Sequence, residues 1–86
     1  MPGSRKELNL EIIAGNLDEA IEELVRIRAS ISAGTIVEEQ LQIWLCHAYH
    51  HLNFAWNVRH VSTEDYAHLT KSQFKRWGNF PSDLED

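Results

Sequence analysis

The fold is decided by residues 10–31, which read LEIIAGNLDEAIEELVRIRASI. Apolar side chains recur there in alternating steps of three and four residues, the spacing of one face of an α-helix. We call this row the seam; its members are Leu10, Ile13, Leu17, Ala20, Leu24, Ile27 and Ile31. Gly15 and Asn16 interrupt it. Because glycine can end a helix and asparagine can begin one, we expect a break there and keep a single bent helix as the alternative.

The next segment begins after residues 32–35, SAGT, where Gly34 can end one helix and Thr35 can cap another, with Glu38 at its third position. The helix predicted over residues 36–59 carries apolar side chains around more than half of its circumference. A helix with so wide an apolar arc is expected to be central and to pack on more than one neighbour.

A last helix is predicted after residues 60–62, with Ser62 as its cap and Gly78 at its end. Its apolar face is read as Tyr66, Leu69, Thr70, Phe74 and Trp77. The segments together predict an all-α fold, a small bundle of three to four helices. We expect one domain over residues 1–86, with residues 1–4 and 79–86 as flexible or extended ends.

The composition of the chain argues against several classes of protein. The net charge is −5, and acidic residues cluster in its first half, which disfavours a nucleic-acid binder. Lys71, Lys75 and Arg76 are interpreted as complementing the dipole at a helix end. A lone cysteine cannot form an internal disulfide, and no segment has the pattern of a leader or a membrane span. We therefore expect a cytoplasmic protein without nucleic-acid or membrane partners.

The segment AGNLDEAIEEL, residues 14–24, resembles the inter-helix turn and second helix of a tetratricopeptide repeat. The resemblance covers eleven residues, and the repeat period of that family does not recur along the chain. It implies a helix hairpin with a turn at Gly15 and Asn16, and no function.

The polar chemistry of the chain is concentrated in residues 46–60, CHAYHHLNFAWNVRH, which contain four of its five histidines. His47 and His51 lie one helical turn apart, a usual spacing for two metal ligands, and His50 is included in this candidate metal site. A further ligand would have to come from elsewhere in the chain, such as His68 or a carboxylate. The zinc-protease pattern requires a glutamate where Ala48 stands, so that chemistry is not predicted. The alternative is that hydrogen bonds within the bundle satisfy these imidazoles.

A ligand site is the second hypothesis for the same helix. Trp44 shares the apolar face of His47 and His51, and Arg28 lies among apolar residues of the first long segment. Asn53 and Trp56, with Tyr49, lie on another face whose residue types are common at interfaces. The candidate ligand-binding residues are therefore Arg28, Trp44, His47, His51, Asn53 and Trp56. Arg28 can equally direct its guanidinium outward to water.

Nucleophilic catalysis is not predicted, because Cys46 is interpreted as a small core residue and no phosphate-binding loop is present. No catalytic residue and no cofactor are assigned. The function that the sequence favours is a small helical protein–protein interaction module that forms a homodimer. A metal- or small-ligand-binding protein with a histidine-rich site is the alternative, and an enzyme is the less favoured class.

Overall fold

The computed structural model describes residues 7–80, which form four helices and no strand. Helix α1 spans Leu10–Ala33, α2 spans Glu38–Asn57, α3 spans Thr63–Ala67 and α4 spans Lys71–Trp77. The predicted all-α fold is therefore confirmed. Of the ends expected at residues 1–4 and 79–86, residues 1–4 and 81–86 lie outside the described residues.

The expected break at Gly15 and Asn16 is wrong, because α1 is one continuous helix of 24 residues. Asn16 is buried in the middle of the helix, where its side-chain amide donates to the carbonyl of Ile12 at 3.0 Å and to the hydroxyl of Tyr66 at 3.3 Å. These hydrogen bonds satisfy the amide inside the helix, so asparagine does not need to act as a cap. The turn implied by the tetratricopeptide resemblance is absent for the same reason.

The turn between the two long helices is made by Gly34, as predicted. Gly34 has a left-handed backbone with φ 72°, and its N–H donates to the last carbonyls of α1. The predicted cap at Thr35 is wrong, because the Thr35 hydroxyl donates back to the carbonyl of Ser30 at 3.5 Å. Helix α2 begins only at Glu38, after Val37 in an extended conformation.

Helices α1 and α2 form an antiparallel hairpin. The backbone N–H of Asn9 donates to the carbonyl of Arg59 at 2.7 Å, at one end of the hairpin. Further along α1, Asn16 contacts His51, and Glu23 contacts His47. The residue numbers on α2 therefore fall as those on α1 rise. These contacts define which residues of the two helices lie at the same height along the hairpin, which we call the same level.

The buried row of α1 faces α2 and consists of Ile12, Asn16, Ala20, Glu23 and Ile27. At the open end of the hairpin, Ile12 packs with Phe54 and Val58, and Val61, Tyr66 and Trp77 pack against that cluster. The apolar core of the described chain is therefore small, and it is concentrated where the two short helices meet the hairpin.

The single last helix predicted after Ser62 is in fact two short helices. Ser62 caps α3 as predicted, since its hydroxyl accepts from the N–H of Asp65. Helix α3 ends at Ala67, and Thr70 caps the start of α4 with a capping box that includes Gln73. Thr70 is thus a cap rather than a member of an apolar face. Gly78 ends α4, as predicted.

Candidate functional site

The seam of α1 is divided between a buried and an uncovered part. Ala20 and Ile27 lie against α2 and are buried. Leu17, Leu24 and Ile31 are exposed, although their spacing is that of a core-facing row. Because a helix stripe of this kind is stable when it is buried against another element, the uncovered part of the seam is a candidate interaction surface.

A second exposed apolar row lies on α2. We call the two rows together the apolar face; its residues are Leu17, Ile21, Leu24, Leu45, Tyr49 and Leu52. Each of these side chains is between 40% and 55% exposed. An α-helix rotates by about 100° per residue, so Leu17, Ile21 and Leu24 lie to one side of the buried row of α1. The same rotation in the antiparallel helix α2 places Leu45, Tyr49 and Leu52 on the same flank of the hairpin.

The apolar face is continuous in the direction of the helices. Continuing the register of the hairpin places Leu17 level with Leu52, Ile21 level with Tyr49 and Leu24 level with Leu45. These three levels are separated by about one helical turn each. The arrangement resembles one layer of a helix bundle.

The short helices do not cover the apolar face. The ring of Phe74 in α4 packs on the rings of His50 and Phe54, with centroids 4.8 and 5.3 Å apart. By the same helical rotation, His50 and Phe54 lie on the opposite flank of α2. The hairpin therefore has one flank covered at its open end and one flank exposed to solvent.

Arg28 lies at the border of the apolar face, one turn beyond Leu24, and is exposed. It lines a shallow groove with Ile21, Leu24, Val25, Ala29 and Ser32. Within residues 7–80, no hydrogen bond or salt bridge forms with its guanidinium. The alternative that its side chain points outward is thus the one observed, and Arg28 is not brought near His47 or His51.

His51 belongs to a hydrogen-bonded row between the helices. Its Nδ1 lies 2.9 Å from the side-chain oxygen of Asn16, whose amide donates to the Tyr66 hydroxyl. Burial and the neighbouring His47 lower the pKa of His51 below its ordinary value, although Glu19 opposes them. Because the Asn16 oxygen can only accept, Nδ1 carries the hydrogen in the neutral ring.

His47 lies beside a buried acid. Its Nδ1 is 3.4 Å from Oε2 of Glu23, and Oε1 of the same carboxylate accepts from Arg26 at 2.9 Å. The guanidinium of Arg26 lies over the Trp44 ring, 5.7 Å from its centroid. The imidazole of His47 remains more than half exposed, unlike the buried histidine that its position on the helix suggests. Trp44 thus borders an ion pair.

His50 points away from the other two candidate ligands. Its ring stacks on Phe54 at 5.0 Å between centroids, whereas the rings of His47 and His51 lie 4.9 Å apart on the α1 side. The described part of the chain contains no group of three histidine, cysteine, aspartate or glutamate side chains that could hold a metal ion. The predicted metal site of His47, His50 and His51 therefore stays a hypothesis without a ligand cluster in this structure.

Asn53 has a role in the fold. It is buried, and its amide donates to the carbonyl of Gly78 at 2.8 Å, while Asn57 one turn on donates to the carbonyl of Trp77 at 2.7 Å. The two amides attach the end of α4 to α2. Trp56 is half-buried and stacks with the Arg59 guanidinium, 3.8 Å from the ring centroid.

Cys46 corrects another expectation, because it is exposed rather than a core residue. The apolar face itself was not predicted as a unit, since Tyr49 was grouped with Asn53 and Trp56. The signal that would have found it is the row Leu45, Tyr49 and Leu52 on α2, read against the antiparallel seam.

In comparisons with known proteins, no family model, no curated protein and no solved structure matches this chain. Among the helices formed by residues 7–80, none combines the length and the apolar content that a bilayer crossing requires.

Proposed function

We propose that this protein is a small helical interaction module that associates with a second copy of itself through the apolar face. Two hairpins pair face to face and form a bundle of four long helices. The observation that supports this most directly is the alignment of six large, roughly half-exposed apolar side chains along both helices of one flank.

The small size of the apolar core favours association. The described chain buries few apolar side chains for its length, and a chain of 86 residues has limited capacity to bury more. The six side chains present on the order of 500 Å² of apolar surface per copy, so two copies reach the roughly 1000 Å² at which specific interfaces begin. Removing that surface from water stabilises association by about 25 cal/mol per Å² before the cost of ordering.

A second copy is the occupant that fits the length of this surface. The face extends over three helical turns on two antiparallel helices, and an identical face supplies the same spacing of apolar side chains in return. A single helix from another protein would cover the groove between the two rows but leave their outer edges exposed.

The test is a pair of matched substitutions. Leu24→Glu places an unpaired charge in the centre of the apolar face, and we expect the dimer dissociation constant to rise by at least about a hundredfold. Because Leu24 is exposed in the single chain, helical content should be retained. The control is Ile43→Glu, which makes the same change at an exposed position on the opposite flank of α2 and should leave association unchanged.

Sedimentation velocity over a concentration series measures both variants. Equal association of Leu24→Glu and the unaltered protein would contradict the proposal. If Leu24→Glu is unfolded, the unaltered protein still decides the question, because the thermal midpoint of a dimer rises with concentration and that of a monomer does not.

A further inference from the structure

Two symmetric arrangements can bring the apolar faces of two hairpins together. A two-fold axis parallel to the helices places α1 of one copy against α2 of the other. A two-fold axis across the helices places α1 against α1 and α2 against α2. The two arrangements bury the same side chains, but they bring different charged residues together.

The charged residues on this flank are unequally distributed between the two helices. On α1 the apolar face is bordered by one cation, Arg28, and its acidic residues lie on other sides of the helix by rotation. On α2 the first turn contributes one acid to this flank, Glu38. The cation just beyond the far end of α2, Arg59, is stacked on Trp56. Each long helix thus brings one charge of opposite sign to the same end of the face.

We infer that the dimer forms with α1 of each copy packed against α2 of the other, and that Arg28 pairs with Glu38 of the second copy. This inference rests on the proposed self-association. The alternative arrangement would place Arg28 against α1 of the second copy, whose flank carries no acid. It would place Glu38 against α2 of the second copy, near Arg59, which is stacked on Trp56. It would leave Arg28 without an acid on the second copy, and it would offer Glu38 only a guanidinium that already stacks on Trp56, which is less favourable than two new ion pairs.

The register agrees with this pairing. A two-fold axis parallel to the helices keeps every residue at its own level. Arg28 of one copy therefore lies level with Leu41 in α2 of the second copy. Glu38 lies three residues further, about 4.5 Å along the helix axis. An arginine side chain spans that distance, and its planar guanidinium suits a carboxylate. The second copy repeats the pair, so the dimer contains two of them.

Two variants with a single charge reversal each, measured separately and then as a mixture, test the inference. Arg28→Glu alone places two pairs of carboxylates across the interface, and Glu38→Arg alone places two pairs of guanidiniums. Each should raise the dimer dissociation constant by about tenfold at low salt, since each loses two ion pairs and gains two repulsions. An equimolar mixture of the two variants forms a heterodimer in which both contacts join opposite charges. That mixture should regain association to within about threefold of the unaltered protein.

The controls are Glu22→Arg and Lys71→Glu, which make the same charge changes away from the apolar face and should have no effect singly or mixed. Unchanged dimerisation of both face variants would overturn the pairing while leaving the proposed self-association intact. A chain that carries both Arg28→Glu and Glu38→Arg is also measured. Recovery of association in that chain but not in the mixture would also overturn the pairing, because the ion pair would then form within one chain. A monomeric unaltered protein would instead remove the proposed function itself.

Discussion

The imidazole of His50 lies directly against the Cα of Gly78, in the space that a Cβ on that residue would occupy. His50 is held there by stacking on Phe54 and contact with Phe74, so its ring cannot move aside without disturbing the aromatic cluster. The end of α4 therefore approaches α2 closely only because residue 78 has no side chain.

Gly78→Ala is expected to lower the free energy of unfolding by about 1–3 kcal/mol, the usual cost of overpacking. The matched control is Gly15→Ala, at an exposed position inside α1 where a Cβ meets no atom within 4 Å. That change should stabilise the protein by about 0.5–1 kcal/mol, because alanine favours the helix. Urea denaturation measures both, and equal stability of the two variants would contradict the account of α4 docking.

Asn53→Ala should also weaken the attachment of α4. The change removes the donor to the Gly78 carbonyl and leaves a partly buried acceptor without its hydrogen bond, a loss of about 1–3 kcal/mol. Gln42→Ala, at an exposed position on the same helix, is the control and should have little effect. In Asn53→Ala, amide exchange should accelerate most in α4. Uniform acceleration across all helices would argue against a local role for this amide.

Stability should depend on the protonation of His51. Its pKa in the folded protein is lowered, first by burial and then by His47 and His50, against the opposing carboxylates of Glu19 and Glu23. The unfolded chain therefore binds more protons between the lowered pKa and the ordinary value of 6.5. The free energy of unfolding should fall as the pH decreases through that window and level off below it.

The comparison protein for this effect is His51→Gln, which retains an amide that can donate to Asn16. Urea denaturation between pH 8 and pH 5, a range of about three units around the ordinary pKa of histidine, should show a smaller decrease in the free energy of unfolding for this variant. A titration followed by NMR that places the His51 pKa at or above 6.5 would be inconsistent with the arrangement described here.

The sequence predicted the parts of this fold that depend on local signals. The seam indicated α1, Gly34 indicated its end, and Ser62 and Gly78 indicated a cap and a stop. The break at Gly15 and Asn16 was wrong because Asn16 is satisfied by His51 and Tyr66, which are 35 and 50 residues away. The division after Ala67 was missed although its signal is local, since Thr70 and Gln73 have capping-box spacing.

The candidate site was less predictable, because the role of a residue on α2 depends on which other helix packs on its side of α2. His50 and His51 are adjacent in sequence, yet one packs on α4 and the other contacts α1. Asn53 was taken for a ligand-binding residue, and its hydrogen bond to Gly78 depends on where α4 ends. The apolar face is formed by exposed apolar side chains of two antiparallel helices, so neither helix alone defines it.

The mass of the protein in solution is the most direct test of the central claim. The chain has a mass of 10.0 kDa, and at micromolar concentrations multi-angle light scattering should give twice that value. The mass should fall towards that of one chain on dilution, as expected for a reversible dimer. A mass of 10.0 kDa that persists to high concentration would show that the apolar face does not join two copies, and would contradict the account.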